Sequence, residues 1–334
     1  MTQSIGWGLI GASRIAADSM IGAIRAQGDS DVVAVMSSSP EWGNAYAREH
    51  GIERAYGDLD ALLADPGVDT VYISTTNDLH CAQTVAAAQA GKHVLCEKPL
   101  ALTLADARRM VNACAAAGVQ MGTNHHLRST VGLRAIRDIV RDGRIGQVRS
   151  ARICFAIVLP ERFHDWRLND REGGGPILDL GVHLADSLRF LLDDEPQDVV
   201  AQSVNHGLTV PGLEDEAMSV VRMRGGALVH LFPSWAATYT EADIEILGSE
   251  GFVLARHALM PHVLADVVLG SESGRTTIDL EDEPCYERVV RLFNAAIRGD
   301  GAPHCTGRDG MRSLALALAI REAAATGARV TVED

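Results

Sequence analysis

The sequence predicts an α/β fold in which a doubly wound parallel sheet is followed by an α+β domain with a mostly antiparallel open sheet. Three observations predict it. Strand-like and helix-like segments alternate through the first 125 residues, which implies parallel strands with helical crossovers. A glycine-bearing turn, GLIGASRIA, follows the first strand-like segment. After about residue 145, strand-like segments follow one another at short spacing, as in antiparallel sheets.

In the first domain, expected to span residues 1–125, short apolar runs predict strands and Ala- or Leu-rich runs predict helices. Each predicted strand is separated from the next by helical sequence, which is typical of a doubly wound sheet. The predicted strands are 5–10, 32–36, 71–74, 94–96 and 119–122, and the predicted helices are 15–27, 45–50, 59–64, 82–90 and 104–117.

The second domain, expected to span residues 126–334, is predicted to bind substrate and to form oligomers. Its predicted strands are 148–159, 199–203, 217–223, 227–232, 244–247, 252–255, 263–269 and 276–280, with turn signals at 225–226 and 248–251. Helices at 182–192, 286–298 and 311–325 are predicted to cover one face of this sheet. The other face is then left for a partner, so we expect a homodimer or homotetramer.

Composition narrows the classes of function. The 334 residues are 47% hydrophobic and 22% charged, with a formal net charge of −14, which disfavours nucleic acid and anionic membranes as partners. No run approaches the roughly 20 apolar residues of a membrane span, and the first four residues lack the basic region of a signal peptide. The six cysteines form no C-x-x-C pair, which favours reduced thiols in the cytoplasm. The histidine pair at 125–126 lacks ligand spacing, so no metal is expected.

The turn after the first strand predicts a phosphate-binding loop. Gly11, Ser13 and Ala16 occupy the three glycine positions of the dinucleotide fingerprint G-x-G-x-x-G. Ala16 is an accepted substitute, and Ser13 adds a hydroxyl donor. The following helix N-terminus supplies free N–H groups for an anion. A turn of this kind without a ligand is the alternative.

The second strand ends in Ser37, Ser38 and Ser39, where NAD-binding domains usually carry Asp or Glu for the ribose 2′-hydroxyl. No carboxylate is present to repel a 2′-phosphate, and the hydroxyls could donate to it. This pattern favours NADP over NAD, with a plain Ser-rich loop as the alternative.

Two further stretches carry candidate catalytic residues. The strand at 94–96 ends on Glu97, Lys98 and Pro99, and strand ends are where ligands bind in open α/β sheets; a solvated turn is the alternative. The stretch EGGGPILDLGVH places Asp179 and His183 four residues apart, on one face of a helix. An Asp in that position can orient an imidazole or share a proton with it, although such a pair can also be a surface or capping pair.

These motifs occur together in one order: the turn at 11–16, TTNDLH at 75–80, EKP at 97–99, GGGxxxDxxxH at 173–183 and GSEG at 248–251. The chain resembles the glucose–fructose oxidoreductase / inositol dehydrogenase family of NAD(P)-dependent sugar oxidoreductases. The resemblance covers nearly the whole chain. It implies a Rossmann-type first domain and an oxidoreductase that acts on CH–OH or C=O groups.

The resemblance also implies roles for individual residues. Lys98 would polarise the substrate oxygen beside the nicotinamide, with its proline following a cis bond, while His183 would donate a proton and Asp179 would orient and bind. Ser37 and Ser38 would hold the 2′-phosphate. The implied cofactor contacts are Gly11, Ala12, Ser13, Arg14, Ile15, Ser37, Ser38, Trp42, Thr75, Thr76, Asn77, His80, Glu97, Lys98, Asn124, Trp166, Arg167 and Tyr286.

Trp42 is a departure from the resemblance, because the branch of the family that this chain most resembles carries an arginine there. An indole cannot make bidentate phosphate contacts, although it can stack on adenine; Arg14 or Arg48 would then have to substitute.

We expect an NADPH-dependent reductase of a sugar-derived ketone, with 1,5-anhydro-D-fructose reduced to 1,5-anhydro-D-mannitol and NAD(H) the less favoured cofactor. The alternatives are an inositol or other polyol dehydrogenase and an NADP-sensing regulator without catalysis.

Overall fold

The computed structural model describes residues 4–237 and 242–333, so residues 1–3, on which the signal-peptide argument rests, lie outside it. The chain divides into two compact units. The first runs to His125 and also contains Cys285–Met311, while the second contains His126–Pro284 and the chain from Arg312 onward. The predicted division assigned all of 126–334 to the second domain, and it differs from the structure over Cys285–Met311.

Strands and helices lie close to their predicted positions, with additions. The strands are β1 (Ile5–Ile10), β2 (Ser30–Met36), β3 (Arg54–Tyr56), β4 (Thr70–Ile73), β5 (His93–Cys96), β6 (Met121–Thr123), β7 (Val148–Ala156), β8 (Pro196–Val204), β9 (Glu216–Met223), β10 (Leu228–Ser234), β11 (Ile244–Gly248), β12 (Gly251–Arg256), β13 (Asp266–Ser271), β14 (Gly274–Thr277) and β15 (Val330–Thr331). The helices are α1 (Ile21–Arg25), α2 (Pro40–His50), α3 (Leu59–Ala64), α4 (His80–Gln89), α5 (Leu104–Ala117), α6 (Val131–Arg141), α7 (Trp166–Asn169), α8 (Val182–Leu192), α9 (Cys285–Ile297) and α10 (Gly307–Thr326). No helix in the described part of the chain is both long and apolar enough to cross a membrane.

The sheet of the first unit is parallel throughout, with the strand order β3-β2-β1-β4-β5-β6. The order reverses between β1 and β4. In doubly wound sheets, ligands bind outside the carboxyl ends of the strands at such a reversal. The predicted doubly wound parallel sheet is therefore confirmed.

Helix α9 joins the first unit because its apolar stripe completes that unit's core. Val289, Val290 and Phe293 are fully buried in the same cluster as Trp7 of β1. The Phe293 and Trp7 ring centroids lie 5.6 Å apart. The helix had been predicted to cover the second sheet. Its amphipathic pattern indicated a buried face but not which sheet that face would meet.

The sheet of the second unit has the order β14-β13-β12-β11-β7-β10-β9-β8-β15. Neighbouring strands are antiparallel except for β7 and β10, which pair in parallel. Helix α8 packs against β7 and α6 packs against α8 and β13. The mostly antiparallel sheet is confirmed, and α6 takes part of the covering role that had been predicted for α9.

The second sheet has an outward face with apolar side chains. Along β9, side chains alternate between buried and exposed, and the cross-strand partners of Val220 are Val200 and His230. The exposed side chains that define this open face are Val200, Val204, Met218, Val220, Leu228 and Leu247, each between 39% and 49% exposed.

Candidate active site

Most of the predicted cofactor contacts gather at one edge of the first sheet. Strands β1, β2, β4, β5 and β6 are parallel, so their carboxyl ends lie on the same side. The segments that follow them begin at Gly11, Ser37, Ser74, Glu97 and Asn124. Sequence spacing alone could not show this grouping, since it depends on the strand order.

The turn after β1 approaches the end of β4 closely. Gly11 has a φ of +103°, and a Cβ there would lie 3.2 Å from the carbonyl carbon and oxygen of Ser74. The Ser13 and Ser74 hydroxyl oxygens lie 2.7 Å apart, and the Ser13 hydroxyl accepts a hydrogen bond from the Ala16 N–H at 3.2 Å. Glycine is therefore required at position 11, and Ser13 links the turn to the neighbouring strand end.

Helix α2 fixes two aromatic side chains against the phosphate turn. The Trp42 indole N–H donates to the Ala12 carbonyl at 3.0 Å, and the Tyr46 hydroxyl donates to the Ser13 carbonyl at 2.9 Å. Burial, together with the nearby carboxylates of Asp18 and Glu49, raises the pKa of Tyr46, so its phenol stays protonated as a donor. The Trp42 side chain is nevertheless 53% exposed, which leaves its ring available to a ligand.

The serines at the end of β2 differ in accessibility. Ser37 is buried, and its hydroxyl accepts from the Ser39 N–H at 3.3 Å. Ser38 is exposed. Ser39 caps α2 by accepting from the Trp42 N–H. Of the two serines predicted to hold a 2′-phosphate, Ser38 is therefore the more accessible. Arg14 is also exposed.

The segment after β4 is tied to the proline of E-K-P through His80. His80 is fully buried, with Nδ1 3.1 Å from the Pro99 carbonyl oxygen and Nε2 3.3 Å from that of Thr75. Burial lowers the pKa of His80, and the carbonyl contacts oppose that effect. The Thr75 hydroxyl donates to Gln83 Oε1 at 2.7 Å, while Thr76 is exposed and Asn77 is buried. His80 thus links the segment after β4 to the segment after β5 at the carboxyl ends of the parallel strands.

The end of β5 holds an acid within a set of donors. The Glu97 carboxylate accepts from the Tyr72 hydroxyl, from Asn124 Nδ2 at 2.6 Å and from the Lys98 N–H at 3.2 Å. Burial raises the pKa of Glu97, and these donors partly offset the effect. The bond between Lys98 and Pro99 is cis, as the resemblance implied. These three hydrogen bonds explain why an acidic residue can stand at the end of this buried strand.

Tyr286 reaches the first unit because α9 packs there. Its side chain is buried, and its hydroxyl is hydrogen-bonded to Ser19 in the π-helical segment Ala16–Met20 that precedes α1. Burial and the nearby Glu97 carboxylate raise its pKa well above the usual range. Tyr286 therefore remains a neutral phenol close to the residues at the end of β5.

In the second unit, the segment with Asp179 and His183 is helical but not regular. Residues Ile177–Gly181 form a π-helical turn that continues into α8. Asp179 lies in this turn and His183 in the first turn of α8, so their separation is not that of the predicted regular α-helix. Such π-turns occur frequently at functional sites. His183 is 4% exposed.

Aromatic rings surround His183. The His126 ring lies edge-on to it, with centroids 5.2 Å apart and an interplanar angle of 76°, and the Phe155 ring centroid lies at 6.2 Å. In the sequence, the spacing of His126 disfavours metal binding and indicates no other role for it. Its contact with His183 depends on packing between the turn before α6 and α8, for which the sequence carries no signal.

Arg167 and Trp166 lie in α7, in the same unit as Asp179. Arg167 pairs with Asp165 at 3.0 Å, and its Nε lies 3.9 Å from Asp179 Oδ2. Its guanidinium also lies over the Trp166 ring, 4.6 Å from the centroid, and over that of Phe163 at 5.2 Å. Arg167 therefore places a positive charge beside Asp179.

Comparison with known proteins agrees with these features. Residues 5–125 match the family described as "Oxidoreductase family, NAD-binding Rossmann fold" (GFO_IDH_MocA), and residues 133–254 match its C-terminal domain. The chain is 47% identical to 1,5-anhydro-D-fructose reductase of Ensifer adhaerens, covering 98% of each chain. It is 29% identical to myo-inositol 2-dehydrogenase of Thermotoga maritima, over 85% of this chain and 86% of that protein.

Solved structures give the same result. The aldose-aldose oxidoreductase of Caulobacter crescentus, crystallised with glycerol, matches with a TM-score of 0.90 and 25% identity, covering 98% of this chain and 100% of that one. The WlbA dehydrogenase of Bordetella pertussis, in complex with NADH and UDP-GlcNAcA, matches with a TM-score of 0.83 and 26% identity, covering 99% and 100%. The chain therefore belongs to the GFO/IDH/MocA family of sugar oxidoreductases with an NAD(P)-binding Rossmann fold.

Proposed function

We propose that the protein is an NADPH-dependent reductase that converts 1,5-anhydro-D-fructose, a sugar-derived ketone, to 1,5-anhydro-D-mannitol. The observation that carries the proposal is Lys98, which follows β5 at the carboxyl edge of the first sheet. The chain contains only two lysines, Lys92 and Lys98, among its 30 lysine and arginine residues. The 47% sequence identity to the Ensifer adhaerens 1,5-anhydro-D-fructose reductase supports this choice of substrate.

The turn after β1 fits a dinucleotide. A Cβ at Gly11 would meet the Ser74 backbone. The turn therefore has no side chain at position 11, where the backbone must approach a pyrophosphate, and Ser13 adds a hydroxyl group. Ala12, Ser13, Arg14 and Ile15 would hold the pyrophosphate. When bound, the nicotinamide cofactor supplies hydride to the carbonyl carbon.

The protein's own residues would act on the carbonyl oxygen. Lys98 would donate a hydrogen bond from Nζ and stabilise the negative charge that develops on that oxygen. His183 would transfer a proton to it. Asp179, whose charge is supported by Arg167, would orient the imidazole and bind a substrate hydroxyl. Trp166, Arg167, Asn124 and Tyr286 are proposed to shape the nicotinamide end.

A preference for NADPH over NADH is proposed from the end of β2. Neither Ser37 nor Ser38 brings a carboxylate that would repel a 2′-phosphate. Trp42 limits the preference because an indole provides no charge-assisted hydrogen bond. Its exposed ring, fixed to the Ala12 carbonyl, is proposed to stack on the adenine.

A polyol dehydrogenase is the second candidate, favoured by the similarity to myo-inositol 2-dehydrogenase of Thermotoga maritima. The two candidates are separated by measuring NADPH oxidation with a panel of ketoses, anhydroketoses and inosose, and NAD(P)⁺ reduction with the corresponding polyols. We expect the highest kcat/KM for 1,5-anhydro-D-fructose with NADPH. A higher kcat/KM for an inositol with NAD⁺ would favour the second candidate. Turnover of no compound in either direction would contradict both.

A further inference from the structure

Three glycines precede the helical segment that carries Asp179 and His183, and two of them are required by close contacts. A Cβ at Gly174 would lie 2.5 Å from the carbonyl oxygens of Arg167 and Asp170. Gly175 has a φ of +84°, and a Cβ there would collide with the Glu214 carboxylate, lying 2.8 Å from its Cδ. The turn is therefore built around a carboxylate from a distant part of the chain.

The Glu214 carboxylate lies at the start of the helical segment. Its Oε1 accepts a hydrogen bond from the Ile177 N–H at 3.3 Å. The preceding residue, Pro176, has no N–H, and no side chain within the segment itself caps this end. The first N–H groups of a helix lack intrahelical partners and need acceptors from elsewhere. Glu214 supplies one from 37 residues further along the chain.

The loop that carries Glu214 is itself held firmly. Asp215 is fully buried and accepts from the N–H groups of His206, at 3.0 and 2.8 Å, and of Leu208, at 3.1 Å. The Asn205 side chain donates to the Leu213 carbonyl at 2.8 Å. Because these hydrogen bonds hold the loop, Glu214 can fix the position of the helical segment that it contacts.

Burial raises the pKa of Glu214, while the N–H of Ile177 and the Arg321 guanidinium act in the opposite direction. An uncharged acceptor would avoid the unfavourable burial of a carboxylate. Ionisable groups with perturbed pKa values cluster at functional sites, and Glu214 contacts Ile177, which lies two residues before Asp179 in the chain.

We propose that Glu214 is a positioning residue for Asp179 and His183: by accepting from the Ile177 N–H, it fixes where the helical segment begins and how its π-helical turn is oriented. Gly175 provides the space that this carboxylate needs. The role of Asp179 and His183 in turnover rests on the proposed function. The contact of Glu214 with the helical segment does not.

Two conservative variants separate the possible roles of Glu214. Glu214→Gln keeps the length of the side chain and an oxygen acceptor but removes the charge. Glu214→Asp keeps the charge but shortens the side chain by one carbon, about 1.5 Å, and moves the acceptor out of reach of Ile177. Glu272→Asp, on the exposed turn between β13 and β14, is the matched control.

Each variant is compared with the parent by kcat and KM, by the Kd for NADPH from fluorescence titration, and by hydrogen–deuterium exchange of residues 176–183. Displacement of catalytic groups by about 1 Å can lower rates by about 10². We expect Glu214→Asp to lower kcat at least about tenfold with an unchanged Kd for NADPH, and to accelerate exchange in 176–183. Glu214→Gln should keep most of the parent's kcat and exchange protection.

A kcat for Glu214→Asp within twofold of the parent, or an equal loss in Glu214→Gln, would overturn the proposal. If the parent reduces no ketone at all, the proposed function fails, and the exchange measurement alone decides the positioning role. In that case, equal exchange of 176–183 in the parent and Glu214→Asp would overturn it.

Discussion

Glu97 shows how burial and hydrogen bonding oppose each other at a single residue. Its carboxylate is drawn from water, which disfavours the charged form, while Tyr72, Asn124 and the Lys98 backbone donate to it. The backbone path of E-K-P follows from these contacts, since the acid is bound to the neighbouring strand ends. Lys98 is presented beside it at the sheet edge.

Glu97→Gln should change how stability depends on pH. Between the ordinary pKa of 4.5 and the raised pKa in the folded protein, the folded state holds the proton more tightly than the unfolded state. The contribution of Glu97 to stability is therefore largest below that window and falls as pH rises through it. We expect the Tm of Glu97→Gln, relative to the parent, to increase as the pH rises above the ordinary pKa of 4.5.

The measurement is thermal unfolding of the apo protein at several pH values. Glu272→Gln, which removes a carboxyl group from an exposed turn, is the control. A Tm difference for Glu97→Gln that does not change with pH would show that Glu97 keeps its ordinary pKa.

Cofactor preference is a second residue-level prediction. Trp42→Arg introduces a cation near the proposed 2′-phosphate, and a charge-assisted hydrogen bond is worth about 1.5–3 kcal/mol. We expect the NADPH/NADH ratio of kcat/KM to rise by about tenfold to a hundredfold. Ser37→Asp should lower this ratio, because a carboxylate at the end of β2 accepts from the ribose hydroxyl and repels the phosphate.

Trp42→Phe is the control for the arginine variant, since it removes the indole N–H contact with Ala12 without adding charge. Its ratio should not rise. A parent enzyme that prefers NADH, or an unchanged ratio in Ser37→Asp, would show that the adenosine ribose is not held at this strand end.

At the scale of elements, local sequence patterns predicted most of the structure. The predicted bounds of α3, α5 and α8 coincide with those observed. Helices α3 and α5 each begin at a side-chain cap, Asp58 and Thr103, whereas α8 continues from the preceding π-helical turn. Strands β3 and β15, three and two residues long, were not predicted, and neither was helix α6. The π-helical turn before α8 was also not predicted, since the close contacts of Gly174 and Gly175 and the hydrogen bond from Ile177 to Glu214 are not visible as a periodic pattern.

The candidate site was predictable where a motif marks it and not where packing creates it. Gly11, Glu97, Asp179 and His183 stand in recognisable motifs. Tyr46, Tyr72, Ser74, His126 and Glu214 belong to ordinary strand, helix or loop sequence, and their roles appear only when the strand order and helix packing bring them to the motif residues. The pairing of α9 with the first sheet is of the same kind.

The placement of α9 can be tested through Phe293, which contacts Trp7. Truncation of a fully buried phenylalanine to alanine costs about 3–5 kcal/mol, so Phe293→Ala should lower Tm by about 6 °C or more. Phe293→Leu, which keeps most of the apolar volume, should lose much less. A Tm for Phe293→Ala within about 2 °C of the parent would contradict the packing of α9 on this core.

The whole molecule presents an open face on its second sheet, formed by apolar side chains of β8 to β11. Apolar side chains exposed on one face of a sheet commonly mark a protein–protein interface. We propose that this face joins copies of the chain into a homodimer or homotetramer. Light scattering should then give two or four times the chain mass of 35.7 kDa.

Val220→Lys places a charge at the centre of the open face and should shift the mass toward 35.7 kDa. Val263→Lys makes the same change at an equally exposed valine in the loop before β13, outside the face, and should keep the parent's mass. A parent mass of one chain at micromolar concentration would contradict the oligomer. Loss of assembly in both variants would contradict its location.

The proposed action of Lys98 on the carbonyl oxygen of a sugar-derived ketone is tested by single-turnover reduction of 1,5-anhydro-D-fructose by NADPH in Lys98→Met. The other lysine of the chain, Lys92, donates to the Asp65 and Val68 carbonyls, at 3.2 and 2.7 Å, so Lys92→Met is the matched control. We expect Lys98→Met to bind NADPH as the parent does but to reduce the ketone about 10²–10³ times more slowly, while Lys92→Met keeps the parent's rate. A rate in Lys98→Met within threefold of the parent would contradict the account.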